Sequence, residues 1–232
     1  DHQDVHYCFA SVKAAREFAV LFPTFSVIVS QDDKAKKLTL SVYLIIDPSD
    51  TNDTLRKGQL SIYIRPQYKI ETSLVIHMND LYSLMNNGSF DDMLKVDNKI
   101  GPIWVLLVDG GPDENPRYLK NITQYCDIFY SFDLDYLTVR THAPGHSVYN
   151  PVERSMASLS TKLAAIVLSI NKYSTHLDSQ SKVVDPELAE KNFKYADNLL
   201  CNLWNKDKIF RKPVLTEYID TISTSASDIS WE

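Results

Sequence analysis

Six consecutive apolar residues, Ile103-Trp104-Val105-Leu106-Leu107-Val108, stop at Asp109-Gly110-Gly111-Pro112. A run this short and this apolar, closed by turn residues, reads as a strand buried on both faces. Such a strand belongs in the middle of a sheet that is covered on both sides. The carboxylate of Asp109 then drops off the strand's end, with two glycines leaving the space around it open.

The rest of the chain supplies neighbours for that strand. Residues 9–22 carry apolar side chains at helical spacing and stop at Pro23. Residues 25–30 form an apolar strand ending in Asp32-Asp33, and 37–46 form a second. The short link between them predicts an antiparallel hairpin. A polar stretch, 47–58, reads as a loop, 59–65 alternates as a third strand, and 70–77 reads as a further extended piece. Helices are predicted over 78–86 and over 116–126, the latter with Asn115 as N-cap and Pro116 in the first turn. A strand at about 134–140 precedes a loop and then Asn150-Pro151, a second such pair. The helix it opens is predicted from 151 to about 170, with Val152, Met156, Leu159, Leu163, Ile166 and Ile170 on one stripe. Another helix covers 185–204, and the tail 222–232 reads as loose.

The order β-β-β-α-β-α-β-α describes an α/β fold, a mixed sheet with helices packed on it, and resembles the ribonuclease-H-like fold. The expected organisation is an N-terminal helical segment (1–24), a ribonuclease-H-like core (25–172), and a C-terminal helical extension with a loose tail (173–232).

Of the 232 residues, 44% are hydrophobic, enough for a full core. No apolar run approaches the ~20 residues of a membrane span. Three cysteines, odd in number and far apart, favour a reducing compartment over a disulfide framework. The net charge of −6 argues against a self-sufficient nucleic-acid binder, which usually carries a basic face. A site built of carboxylates would add to that acidity and be offset locally by bound cations.

Three carboxylates fall at element ends: Asp32 after the first strand, Asp109 after the apolar strand, and Glu153 in the first turn of the long helix. Such groups suit Mg2+ or Mn2+, both hard cations, and two ions about 4 Å apart can cut and join phosphodiester bonds. Each has a plainer reading. Asp109 can cap a turn, and Asn150-Pro151-Val152-Glu153 can be a capping box. Asp32-Asp33 can be a polar turn, and only one of the two can point into a site, because neighbours on an extended chain face opposite ways. Asp32 is the first choice and Asp33 the alternative.

Taken together, the motifs resemble the DDE-type transposases and integrases. Leu137-Thr138-Val139 followed by Asn150-Pro151-Val152-Glu153 is similar to the mariner-type pattern of strand, Pro-containing loop and Asn-Pro-x-Glu. The strings from Val108 to Arg117 and from Tyr149 to Arg154, with Asp32-Asp33-Lys34-Ala35 on the first strand, resemble transposase-derived proteins of invertebrate and fungal genomes. The resemblance covers roughly residues 25–170. It implies a catalytic core that cleaves DNA and transfers the strand, with Asp32, Asp109 and Glu153 holding two Mg2+ or Mn2+ ions. The implied partners are transposon ends and target DNA, in the nucleus or elsewhere inside the cell, with room for a homodimer. Such proteins also need a DNA-binding module, and nothing before residue 25 is long enough to be one. The chain reads as a core cut from something longer.

Arg117, Lys120 and Arg154 adjoin the carboxylates and are the candidate phosphate contacts, with Arg140 and Lys162 nearby. Each is equally readable as a solvated charge. His142 and His146 lie in the loop before Glu153. His2, His6 and Cys8 lack a fourth zinc partner. Two other functions compete. One is a domesticated, catalytically silent derivative that binds DNA or protein. The other is a phospho-receiver domain, disfavoured because the first strand runs into a hairpin rather than a helix.

Overall fold

The computed structural model describes residues 4–35, 38–49, 57–70, 73–143, 145, 149–163 and 168–221. The first helix, α1 (Val5–Leu21), is followed by three long strands, β1 (Ser26–Ala35), β2 (Leu38–Ile46) and β3 (Gly58–Pro66). Next come α2 (Leu74–Asn86), the short α3 (Asp91–Leu94), and a small ribbon of β4 (Lys95–Val96) and β5 (Lys99–Ile100). The apolar run is β6 (Ile103–Val108), followed by α4 (Leu119–Ser131), β7 (Tyr136–Thr141), α5 (Pro151–Leu163) and α6 (Pro186–Trp204). A second ribbon, β8 (Lys208–Ile209) and β9 (Lys212–Pro213), leads into β10 (Leu215–Tyr218).

Six strands form one sheet in the order β10-β3-β2-β1-β6-β7. The β2 strand runs antiparallel to both its neighbours, and the remaining pairs are parallel. An antiparallel meander of three strands, extended by parallel strands reached through helical crossovers, is the ribonuclease-H-like arrangement. The expected fold class is therefore the observed one. The β6 strand lies inside the sheet, between β1 and the edge strand β7, and is buried on both faces.

Alternation along the strands splits the core into two layers. Ile28, Val42, Leu44, Ile62, Val105 and Leu107 face α1, α5 and α6. Val27, Val29, Tyr43, Ile45, Trp104 and Leu106 face α2 and α4. The α5 stripe of Val152, Met156 and Leu159 is buried in the first layer as its spacing predicts. Each such side chain contributes about 1.5–3 kcal/mol by leaving water.

Several boundaries differ from the sequence reading. The β1 strand does not stop at residue 30 but carries Asp32 and Asp33 inside it, opposite Val42 and Ser41 of β2. The piece read as extended over 70–77 is helical from Leu74, where Ser73 caps α2 by accepting from the Ile76 N–H, and residues 71–72 lie outside the described set. Asn115 does not cap α4. Its side chain accepts from the Arg117 N–H in a turn, and the helix begins at Leu119. The α5 helix is described to Leu163, residues 164–167 lie outside the described set, and 168–170 are not helical. The C-terminal extension is not purely helical, since β10 completes one edge of the sheet by pairing with β3.

Candidate active site at the strand ends

Strand parity separates the two neighbouring aspartates. Ser30 and Asp32 share the face of Ile28, towards α5, while Gln31 and Asp33 share that of Val29, towards α2 and α4. Contacts agree with the parity. The Ser30 hydroxyl donates to Asn150 Oδ1 and accepts from the Val152 N–H at 3.2 Å, at the start of α5. Asp33 Oδ2 instead lies 3.2 Å from His77 Nε2 on α2. Asp32 itself is 4% exposed.

Register brings the other strand ends level with Asp32. The β1–β6 ladder pairs Ser30 with Leu107, an offset of 77 positions, and Asp32 and Asp109 are separated by the same number. The β6–β7 ladder pairs Val108 with Thr141, and the His142 N–H continues it by donating to the Val108 carbonyl at 3.1 Å. Asp109 and His142 thus stand just past the ends of β6 and β7, level by register with Asp32, which lies past the end of the β1–β6 pairing but inside β1. Asp109 is exposed, and its Oδ1 accepts from the Gly111 N–H at 2.7 Å. Gly110 has φ +83°, and a Cβ there would lie 3.1 Å from Thr141 Cβ, so both conformation and space select glycine.

Glu153 arrives by a different device. Asn150 is fully buried, and its side-chain amide donates to the Gln31 carbonyl at 3.1 Å. The expected N-cap side chain is therefore engaged with β1, and the Ser30 hydroxyl meets the Val152 N–H in its place. This docks the first turn of α5, with half-buried Glu153, beside the strand that carries Asp32. The contacts join the start of α5 to the Ser30–Gln31 segment of β1, but the three carboxylates are not grouped as a metal cage. Among the described residues no three His, Cys, Asp or Glu side chains are grouped so as to hold a metal ion.

Behind Asp32 lies a buried polar network that sequence reasoning missed. His77 is 1% exposed. Its Nε2 is 3.2 Å from Asp33 Oδ2 and 3.1 Å from Glu114 Oε1, and its Nδ1 is 2.6 Å from Tyr43 Oη. Tyr43 donates to Asp80 at 2.8 Å, Arg65 pairs with Asp80, and Gln31 donates to Glu114 at 2.6 Å. Burial opposes charge on His77, but Glu114, Asp33 and Asp80 outweigh it and push the ring up to about 9. Burial works against ionised Asp33 too, and His77, Ser41 and Arg65 still hold it below its ordinary value. Glu114 moves the other way, up to about 7, because its burial beside Asp109 and Asp33 outweighs the help from His77 and Gln31. No motif flagged these groups, because Pro112-Asp113-Glu114 reads as a solvated turn and His77 sits in a helix first read as a strand.

His142 is pushed down to about 4 by burial, against the pull of Asp109, so it is neutral near pH 7. Its Nε2 is buried and has no hydrogen-bond partner among the described residues. His146 and His2 lie outside the described residues. Arg117, Lys120 and Arg154 are all exposed, the first two on the segment after Asp109 and the third next to Glu153. The Arg117 guanidinium lies 4.8 Å from the Tyr118 ring centroid and donates to its hydroxyl. Lys162 is paired with Asp207, away from the strand ends.

The strand order and its parallel crossovers give the chain an α/β, ribonuclease-H-like fold. Its structure is similar to the crystal structure of the catalytic domain of Mos1 mariner transposase, at 13% identity and a TM-score of 0.37, over 82% of this chain and 88% of that one. No protein-family model matches the chain, and no curated protein matches it significantly.

Proposed function

We propose that this chain is the catalytic core of a DDE-type transposase, which hydrolyses a DNA strand at an element's end and transfers the freed 3′-hydroxyl to target DNA. The observation that supports this best is the shared level of Asp32 and Asp109 on adjacent parallel strands, with the Glu153 helix docked beside them. Asp32, Asp109 and Glu153 are the residues that would hold two Mg2+ or Mn2+ ions. Their carboxylate oxygens are the donors these hard cations take, although they are not grouped as a ligand set in the described residues. When bound, the metals supply Lewis-acid activation of the attacking oxygen and stabilise the leaving one. Asp32 is preferred to Asp33, whose carboxylate faces His77 on the other side of the sheet.

The chain's own work is orientation. Ser30 and Asn150 fix the start of α5, the Gly110-Gly111 turn aims Asp109, and Arg117, Lys120 and Arg154 neutralise DNA phosphates. No described helix is long and apolar enough to cross a membrane, and the proposed place of action is on DNA inside the cell. The test is Mn2+-dependent nicking of supercoiled DNA by the chain, by Asp109→Ala and by Glu153→Ala. Loss in both variants supports the reading, and equal activity in all three overturns it.

A second reading is a catalytically silent derivative that binds DNA or protein. The absence of a grouped ligand set among the described residues and the net charge of −6 favour it. Absence of Mn2+ binding by a folded chain would select it.

A further inference from the structure

The buried network behind Asp32 has a proton inventory that its geometry decides. Tyr43 Oη owns one proton and lies 2.8 Å from Asp80 Oδ2, while the other Asp80 oxygen is engaged by Arg65. The hydroxyl proton goes to that carboxylate, so His77 Nδ1, 2.6 Å away, supplies the proton on its own contact with Tyr43. On the other side of the ring, Nε2 lies 3.2 and 3.1 Å from carboxylate oxygens of Asp33 and Glu114 without a well-aligned hydrogen bond to either, and two acidic neighbours at that distance favour a proton there as well. The ring lies between the two carboxylates in the manner of a shared ion pair rather than of one linear hydrogen bond. With both nitrogens protonated, His77 is a buried imidazolium.

The two carboxylates it holds belong to the two strand ends of the site. Asp33 follows Asp32 on β1 and points to the opposite face. Glu114 is joined to Asp109 by the Gly110-Gly111 turn, whose Gly111 carbonyl accepts from the Glu114 and Asn115 N–H groups at 3.1 and 2.9 Å. Tyr125 and Asn121 of α4 anchor the backbone of this loop from outside, through the Glu114 carbonyl at 2.7 Å and the Pro112 carbonyl at 3.1 Å. Across the sheet, the loop's side-chain ties to the β1 end run through Glu114, to Gln31 and to His77.

We infer that His77 is a positioning residue, a buried cation that grips Asp33 and Glu114 together and thereby fixes the spacing between the strand ends bearing Asp32 and Asp109. It touches no reacting group, and its effect on chemistry rests on the function proposed above. Its effect on the loop does not. Removing the charge would leave half-buried Asp33 and buried Glu114 facing each other without a cation, and the Glu114 side would give way, because Asp33 lies in β1 paired with Ser41 of β2 whereas Glu114 lies in a loop.

The experiment compares wild type, His77→Gln, Glu114→Gln and the double variant by amide hydrogen exchange and by Mn2+ titration. Each single variant should speed exchange of the Glu114 and Asn115 amides selectively, leaving β2 and β3 unchanged. Each should weaken Mn2+ binding about 10- to 100-fold. The double variant should be no worse than either single one, because the two residues act on each other. Unchanged loop exchange in both single variants overturns the inference, as does a uniform rise over the whole sheet or strict additivity in the double variant. If His77→Gln does not fold, Glu114→Gln decides by the same loop readout. Loop exchange that responds in a protein that binds no Mn2+ supports the clamp and overturns the proposed function instead.

Discussion

The Asn150 side-chain amide donates to the backbone carbonyl of Gln31 at 3.1 Å, 119 positions away in sequence. This one contact joins the first turn of α5 to the residue before Asp32, and the Ser30 hydroxyl closes the same junction through Asn150 Oδ1 and the Val152 N–H. Asn150→Ala removes both ties and leaves the buried Gln31 carbonyl short of a donor. The expected cost is about 1–3 kcal/mol, or a melting-temperature drop of about 2–4 °C per kcal/mol at this chain length. Thermal unfolding checks it. Nicking should fall further than stability accounts for, because Glu153 loses its seat.

Gly110→Ala meets two obstacles together: a φ of +83° and the Thr141 Cβ at 3.1 Å. A left-handed backbone costs a non-glycine residue about 1–2 kcal/mol, and the close contact adds to it. Calorimetry should show the destabilisation, and Gly145→Ala serves as the control, since Gly145 also has positive φ but no atom of the described residues within 4 Å of an added Cβ.

His77 predicts a pH dependence with a definite sign. Its ordinary value of 6.5 is raised to about 9 in the fold. The stability it confers is therefore complete below 6.5 and is lost as pH rises through 9, at about 1.4 kcal/mol for each pH unit between. Melting temperatures of wild type and His77→Gln, followed from pH 6 to pH 10, should differ most at the acid end and converge towards the alkaline end. A gap that widens with pH contradicts the assignment.

Arg117, Lys120 and Arg154 should act as phosphate contacts. Changing any one to Ala should weaken DNA binding to all sequences alike and lower the slope of log K against log salt by about 1. Fluorescence anisotropy at several salt concentrations measures both. Lys162→Ala, which breaks only the pair with Asp207, should leave the slope unchanged.

Which parts of this arrangement were legible in the sequence has physical reasons. The strand order was readable because β1, β2, β3 and β6 are bounded apolar runs with strand periodicity, and the β1–β2 hairpin followed from its short link. The extent of β1 was not. Gln31-Asp32-Asp33 is polar, and it stays in the strand because α5 and the His77 network supply partners that only the tertiary fold creates. Leu74-Val75-Ile76 looked extended because of its β-branched residues, but the Ser73 cap and the burial of Leu74, Met78 and Leu81 outweigh that propensity. The β10 strand was invisible because Leu215–Tyr218 is four residues that become a strand by pairing with β3. For the site, spacing and resemblance singled out the three carboxylates as candidates, and the β1–β6 register repeats the 77-position interval between Asp32 and Asp109. His77 and Glu114 carried no local signal, since the side-chain partners that hold them are Asp33, Tyr43 and Gln31 far along the chain, and each other.

The central claim is that Asp32, Asp109 and Glu153 serve one metal site. A crystal structure of the chain with Mn2+, read by anomalous scattering, tests it most directly. The account predicts Mn2+ bound by Asp32 of β1 and by Asp109 past the end of β6, with Glu153 facing the same ions. Mn2+ bound by Asp33 on the α2 side, or no Mn2+ at these strand ends under saturating conditions, would contradict it.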